Sequence, residues 1–206
     1  MTLPTKITVI GAGSASFGEN TLSAIMRSQR LKGSTLALVD RNPDTLDIVK
    51  RLAERLNREW DSHFTITAHT NHLDALSESK FVVNAIEVGA RENLWLRDFE
   101  IPIQYGVRQP YAENGGPGGF AHAARNIGPI LQIARDMEQA CPDAWFVNFT
   151  NPMIRICDVV NRHSKIKSVG LCHQIYAGYV MVGVALAKDL GIEIPEGLTG
   201  VHAAVD

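Results

Sequence analysis

The stretch Ile7-Thr-Val-Ile-Gly-Ala-Gly-Ser-Ala-Ser-Phe-Gly18 decides the fold class of this 206-residue chain. Its first four residues are strand-like, and the glycine-rich turn that follows leads into a segment with helical apolar spacing from Asn20. In this order, backbone amides and a helix N-terminus can hold a pyrophosphate, so the stretch predicts a dinucleotide-binding loop. Ser16 stands where the usual pattern has its third glycine, which normally lets the helix pack close to the strand.

An acidic residue supports this interpretation. Asp40 follows the second predicted strand, residues 35–39, where a carboxylate can accept hydrogen bonds from ribose hydroxyls and repel a 2′-phosphate. The predicted cofactor is therefore NAD rather than NADP, bound by Gly11, Gly13, Ser14 and Asp40. The alternative is that the two glycines only form a tight turn and that Asp40 is a surface cap.

Strand-like and helical segments alternate along the rest of the chain. The predicted strands are residues 6–10, 35–39, 64–68, 80–86, 144–148 and 167–171, and the predicted helices are residues 20–29, 43–59, 119–139, 152–163 and 174–190. Short apolar strands that alternate with helices predict an α/β fold, a doubly wound parallel sheet of Rossmann-like type. We expect residues 1–195 to form the dinucleotide-binding domain and residues 196–206 to begin a C-terminal catalytic or substrate domain that is mostly absent.

Composition excludes several classes of function. The charged fraction is 20% and the net charge is -2, which argues against nucleic acid as a partner. No apolar run reaches the roughly 20 residues that cross a bilayer, and no secretory signal precedes the first strand, so we expect no membrane partner. Three cysteines without a CxxC pair favour a reducing cytoplasm.

Chemically capable side chains follow several predicted strands. Asn148 and Asn151 follow the fifth strand and offer donors and acceptors for a sugar, although Asn151 could equally cap a helix. Arg91 could bind an anionic or hydroxyl-rich substrate, or form a surface salt bridge. Cys172 is a soft metal ligand at the end of the sixth strand, with His202 as its natural partner, although a buried, inert thiol is the commoner fate of cysteine.

Together these blocks resemble glycoside hydrolase family 4, and the resemblance spans nearly the whole chain. The blocks that carry it are Gly11-Ala-Gly-Ser14, Arg91, Asn114-Gly-Gly-Pro-Gly-Gly119, Asn148-Phe-Thr-Asn-Pro-Met153 and Gly170-Leu-Cys-His173. The resemblance implies an NAD- and manganese-dependent glycosidase, an exception to the two-carboxylate scheme. It implies transfer of a hydride from sugar C3 to NAD, loss of the C2 proton to a base, elimination of the glycosidic oxygen, addition of water and return of the hydride.

The resemblance also implies roles for individual residues. Cys172 and a later histidine, taken as His202, would hold the metal ion, and His173 would be the candidate general acid. Enzymes that act on 6-phosphosugars tend to carry asparagine or aspartate at the position of His173, so we expect an unphosphorylated hexoside, a hexuronide or a sulfonated glucoside. The catalytic base, a tyrosine or an aspartate, is expected beyond residue 206, and we expect the full-length protein to be a homo-oligomer, dimer or tetramer.

Two other functions stay open from the sequence. The first is an NAD-dependent 2-hydroxy acid dehydrogenase of the lactate or malate type, in which a strand followed by Asn-Pro also occurs. The second is an inactive NAD-binding fragment, because the 206 residues alone are expected to bind NAD weakly and turn over nothing. We expect His122 and His163 to face solvent, and Trp95 and Trp145 to be core or loop anchors.

Overall fold

The structure is a computed structural model, and it describes residues 2–14, 18–109, 114–172 and 174–191. The chain divides into two compact units, residues 1–170 and residues 171–206. Each unit is described by itself below. Residues 196–206, which we expect to begin a further domain, lie outside the described residues.

The first unit alternates strands with helices, as the apolar periodicity predicts. Its strands are β1 (Lys6–Ile10), β2 (Thr35–Val39), β3 (Thr65–His69), β4 (Phe81–Asn84), β5 (Trp145–Asn148) and β6 (Lys167–Gly170). Its helices are α1 (Gly18–Met26), α2 (Pro43–Glu59), α3 (Leu73–Leu76), α4 (Arg91–Gln104), α5 (Gly116–Ala140) and α6 (Met153–His163).

These strands form one parallel sheet in the order β3-β2-β1-β4-β5-β6. The last residue of β1, Ile10, is in register with Val39 of β2 and Asn84 of β4. Asn84 is in turn in register with Asn148 of β5. The carboxyl ends of the strands therefore lie along one edge, and the strand order reverses between β1 and β4. That switch point is where a doubly wound sheet normally binds its ligand.

Apolar side chains cover both faces of the sheet, which is why the strands read as nearly continuous apolar runs. On the face covered by α1 and α2, the core includes Ile7, Val9, Leu22, Met26, Leu36, Leu38, Leu46 and Ala53. On the face covered by α3, α5 and α6, it includes Ile10, Val39, Leu76, Val82, Ile130, Ala134, Met137, Phe146, Ile156 and Val160. Thr8 is fully buried among these strands, and its hydroxyl is satisfied by the carbonyl of Ala75 and the hydroxyl of Ser79.

The Rossmann-like α/β fold is confirmed, and the structure adds two helices that the sequence did not predict. Residues 91–104, which carry many charges and contain Pro102 within the helix, form α4 rather than a loop. The short helix α3 was also missed, because four residues show no helical period. The helix predicted over residues 119–139 begins earlier, at Gly116, inside the glycine-rich run 114–119.

The second unit contains the helix α7 (Gln174–Leu190) in its described part. Several of its apolar side chains are exposed, among them Val180, Met181 and Val184. Among the residues that the structure describes, none of the helices is long and apolar enough to cross a membrane.

Candidate active site

The glycine-rich loop is fixed at the carboxyl ends of β1 and β2. The amides of Gly11 and Ala12 both donate to the carbonyl of Val39, at 2.9 and 3.0 Å. Gly11 has a φ of +80°, and a Cβ added to it would lie 2.6 Å from the carbonyl oxygen of Ala85, just after β4. Only glycine fits this close approach, since a side chain would meet both a strained backbone and fixed main-chain atoms.

Asp40 lies beside the loop, where the sequence predicts the ribose-binding carboxylate. Its Oδ2 accepts a hydrogen bond from the Gly13 amide at 2.9 Å, and its Oδ1 accepts one from the Asn42 amide at 2.9 Å. A carboxylate has about four lone-pair positions, so two backbone donors leave capacity for further hydroxyl donors. Ser14 continues the turn through its amide, which donates to the Gly11 carbonyl, whereas Ser16 lies outside the described residues.

The two predicted asparagines after β5 differ in exposure. Asn148 is fully buried; its Oδ1 accepts from the Asn84 side chain at 2.9 Å, and its Nδ2 donates to the Thr150 carbonyl at 2.8 Å. Both ends of its side-chain amide are thus hydrogen-bonded within the protein, at the carboxyl edge of the sheet. Asn151 is half-buried and precedes Pro152 through a cis peptide bond. The N-cap of α6 is Pro152, so Asn151 is not the residue that caps this helix.

Arg91 begins α4 and is exposed, with its guanidinium carbon 4.2 Å from the centre of the Trp95 ring. That distance is typical of a cation–π contact. The edge of the same ring meets His122, with 6.1 Å between ring centres. Trp95 is half-buried and acts as an anchor between helices, as predicted, but Trp145 is 45% exposed at the start of β5, and its predicted role as an anchor is wrong.

A buried histidine and a glutamate form a cluster that the sequence did not predict. His122, expected to face solvent, is 1% exposed, so that prediction is wrong; His163 is exposed as predicted. His122 Nε2 lies 2.9 and 3.1 Å from the two carboxylate oxygens of Glu87, and the Asn126 side chain donates to Glu87 Oε1 at 3.1 Å. His122 and Asn126 are four residues apart on one face of α5, which is the signal that could have paired them.

The surroundings of Glu87 fix its charge. Burial raises the pKa of Glu87, but hydrogen bonds with His122 and Asn126, together with the electrostatic influence of His122 and Arg91, outweigh burial. The net result is a pKa below the ordinary value of 4.5, so this carboxyl group is ionised at neutral pH.

The predicted metal ligands are only partly described. Cys172 belongs to the second unit, is exposed and forms no disulfide; its Sγ accepts from the Gln174 amide at 3.5 Å. His173 and His202 lie outside the described residues. Within the described parts of the chain, no three histidine, cysteine, aspartate or glutamate side chains come together as a metal site would require.

The fold and the fixed glycine-rich loop define a Rossmann-like α/β protein. The sequence model of the family 4 glycosyl hydrolases matches residues 6–192. The chain belongs to this family.

Individual relatives agree with this assignment. An alpha-glucosidase of Erwinia rhapontici is 46% identical over 84% of the chain and 38% of its own length. An alpha-galactosidase of Bacillus subtilis is 38% identical over 96% of the chain and 45% of its own length. The chain thus spans less than half of each of these relatives.

A solved structure has the same fold. The 6-phospho-beta glucosidase of Thermotoga maritima, solved with manganese, NAD+ and glucose-6-phosphate, superposes with a TM-score of 0.72 at 23% identity. The match covers 92% of this chain and 44% of that structure.

Proposed function

We propose that the protein is an NAD- and divalent-metal-dependent glycosidase that cleaves an O-glycosidic bond by oxidation at C3, elimination, water addition and re-reduction. The observation that carries the proposal is the loop in which Gly11 lies against Ala85 and Asp40 binds the Gly13 amide, in a chain of this glycosidase family. Membership of the family alone supports glycoside hydrolysis, and the loop supports the part played by NAD.

The residues around the loop fit NAD. Because glycine has no side chain, Gly11 can lie against the backbone of Ala85 and Gly13 against Thr45 and Asp40, which keeps the loop in its tight turn. Asp40 retains acceptor capacity for ribose hydroxyls. In this arrangement Gly11, Gly13 and Ser14 would bind the pyrophosphate, and Asp40 would orient the adenosine ribose. Bound NAD would supply a reversible hydride acceptor for sugar C3.

The proposal of manganese rests on fewer observations than the proposal of NAD. Cys172 is exposed and accessible to a cation, but the described residues provide no complete set of ligands. We therefore propose Cys172 and His202 as two ligands, with Mn²⁺ or another divalent transition metal as the ion, and assign no step to it. The Thermotoga maritima relative solved with manganese supports that choice of ion.

The remaining roles rest on position in the chain. His173 is proposed as general acid, since imidazole titrates in the useful range. Arg91 and Asn151 are proposed to bind the sugar, because both are accessible. Asn148 is buried and hydrogen-bonds to Asn84 and Thr150. We propose that it supports sugar binding indirectly, by positioning Asn151.

The substrate is proposed to be an unphosphorylated hexoside, a hexuronide or a sulfonated glucoside. The alpha-glucosidase and alpha-galactosidase relatives support an unphosphorylated sugar. We also propose a homo-oligomer in the cytoplasm, and the free thiols Cys141, Cys157 and Cys172 are consistent with a reducing compartment.

The proposal predicts that the full-length protein cleaves aryl hexosides only when both NAD and Mn²⁺ are supplied. Omitting NAD, or removing the metal ion with a chelator, should each lower the release of the aryl alcohol by at least roughly 1000-fold, because each supplies several kcal/mol to the barrier. Release of the aryl alcohol followed by absorbance measures this directly. Cleavage that persists without either cofactor would contradict the proposal, as would oxidation of a 2-hydroxy acid without any glycoside cleavage.

A further inference from the structure

Glu87 is a carboxylate whose direction is fixed by buried neighbours. His122 Nε2 donates to its two oxygens, at 2.9 and 3.1 Å, and the Asn126 amide group donates to Oε1 at 3.1 Å. Both neighbours are almost completely inaccessible, and Asn126 Oδ1 also accepts from the Val88 amide at 3.1 Å, so the backbone after Glu87 is held as well. Such a network prevents the carboxylate from turning away from the position that the fold gives it.

The same carboxylate is open on its other side. The Glu87 side chain is 29% exposed, and three inward hydrogen bonds leave lone pairs for an outside donor. The buried His122 and Asn126 side chains need an acceptor at this position, and the carboxylate supplies it while part of its own surface stays accessible. A fixed, ionised and accessible carboxylate is a group that can recognise a ligand by hydrogen bonding and charge.

The position of Glu87 at the edge of the sheet indicates which part of the ligand this side chain would contact. It follows β4 by three residues, at the carboxyl edge, on the opposite side of the switch point from Asp40. A dinucleotide with its adenosine ribose at Asp40 and its pyrophosphate at Gly11 and Gly13 extends its nicotinamide towards β4. A sugar that exchanges a hydride with that ring must lie next to it, on the side of Glu87.

The local charge does not suit an anion. The charges of Arg91 and Arg125 both interact with Glu87, and the Arg91 guanidinium lies over the Trp95 ring. Among the described residues, Asp98 binds Arg125 and the Glu87 carboxylate offsets the charge of Arg91, whereas a phosphate carries nearly two negative charges and is normally met by clustered cations. Sugar hydroxyls, in contrast, can donate to Glu87 and accept from Arg91.

We propose that Glu87 is a specificity-determining residue that selects an uncharged hexoside, by accepting hydrogen bonds from its hydroxyls and repelling a 6-phosphate or a 6-carboxylate. This inference rests on the proposed glycosidase function and narrows it: among unphosphorylated sugars, it disfavours the hexuronide. Arg91 would then bind a hydroxyl oxygen of the same sugar rather than an anionic group.

The test compares Glu87→Gln with wild type in the full-length protein, on matched aryl glycosides that carry a 6-hydroxyl, a 6-phosphate or a 6-carboxylate. Wild type should favour the neutral glycoside in kcat/KM. Glu87→Gln should raise the ratio of anionic to neutral kcat/KM at least about 10-fold, since a unit charge at several ångströms is worth that much or more near a protein surface. Glu92→Gln is the matched control, because Glu92 is an exposed carboxylate in the first turn of α4, and it should change the ratio less than about threefold.

A second measurement tests the inference without turnover. With NAD present, calorimetry on wild type should give tighter binding of a free hexose than of its 6-phosphate, and Glu87→Gln should reduce that preference. Tighter binding of the 6-phosphate, or an equal change of the kcat/KM ratio in both variants, would overturn the role of Glu87. If no glycoside is cleaved at all, the proposed function fails, and the binding preference still decides whether Glu87 selects a neutral sugar.

Discussion

Replacing Gly11 with alanine is expected to lower the free energy of unfolding by about 3 kcal/mol and to weaken NAD binding by roughly 100-fold or more. A φ of +80° costs an alanine about 1–2 kcal/mol, and the new methyl group would stand 2.6 Å from the carbonyl oxygen of Ala85. That oxygen belongs to the backbone after β4, so the strand ends must separate to admit the methyl group. The melting temperature should fall by about 10 °C, and calorimetric titration with NAD would show the loss of affinity.

Gly106→Ala is the control that separates backbone strain from the close approach. Gly106 has a similar φ of +76°, but a Cβ added there meets nothing within 4 Å. The Gly106→Ala variant should lose about 1–2 kcal/mol of stability and keep its affinity for NAD. If the two variants lost stability equally and both bound NAD normally, the loop would be only a tight turn.

Replacing Cys172 with serine is expected to reduce kcat by roughly 1000-fold or more, because a neutral hydroxyl is a poor substitute for a thiolate ligand. Cys172 is exposed, so the change should leave stability almost unaltered. Calorimetric titration of the full-length variant should show weaker Mn²⁺ binding, whereas NAD should bind within about threefold of wild type, since the glycine-rich loop is untouched.

The matched control for this prediction is Cys141→Ser. Cys141 is a buried thiol that follows α5 at the amino-terminal edge of the sheet, opposite the edge where the glycine-rich loop lies. Serine there should lower the melting temperature slightly, because it buries a hydroxyl, and should leave kcat unchanged. Undiminished cleavage by Cys172→Ser would show that this thiol holds no catalytic metal ion.

The sheet could be predicted from the sequence because strands buried on both faces leave a strong local signal. Continuous apolar runs such as Thr35–Val39, each followed by a helical period, indicate both the elements and their parallel arrangement. The segment that forms α4 gives no comparable signal. Its apolar and charged residues are mixed around the helix and Pro102 interrupts it, so packing against α5 rather than local pattern stabilises it.

The candidate site was predictable only where a residue belongs to a motif. Gly11, Gly13 and Asp40 follow strands at recognisable spacing, and the structure brings them together. Glu87 and His122 belong to no motif, are 35 residues apart and meet only because α5 packs beside the end of β4. The sequence does not show whether a polar residue on an amphipathic helix faces solvent or a buried partner, which is why the expected exposure of His122 is wrong.

Cleavage of an aryl hexoside in D₂O, with NAD and Mn²⁺ present, tests the central claim most directly. If the full-length protein removes the C2 proton to expel the aryl alcohol and later returns a proton from solvent, the released sugar must carry deuterium at C2. Mass spectrometry and proton NMR of the product would show this label. A sugar released at full rate without deuterium at C2 would contradict the account, because direct displacement at the anomeric carbon leaves the C2 hydrogen in place.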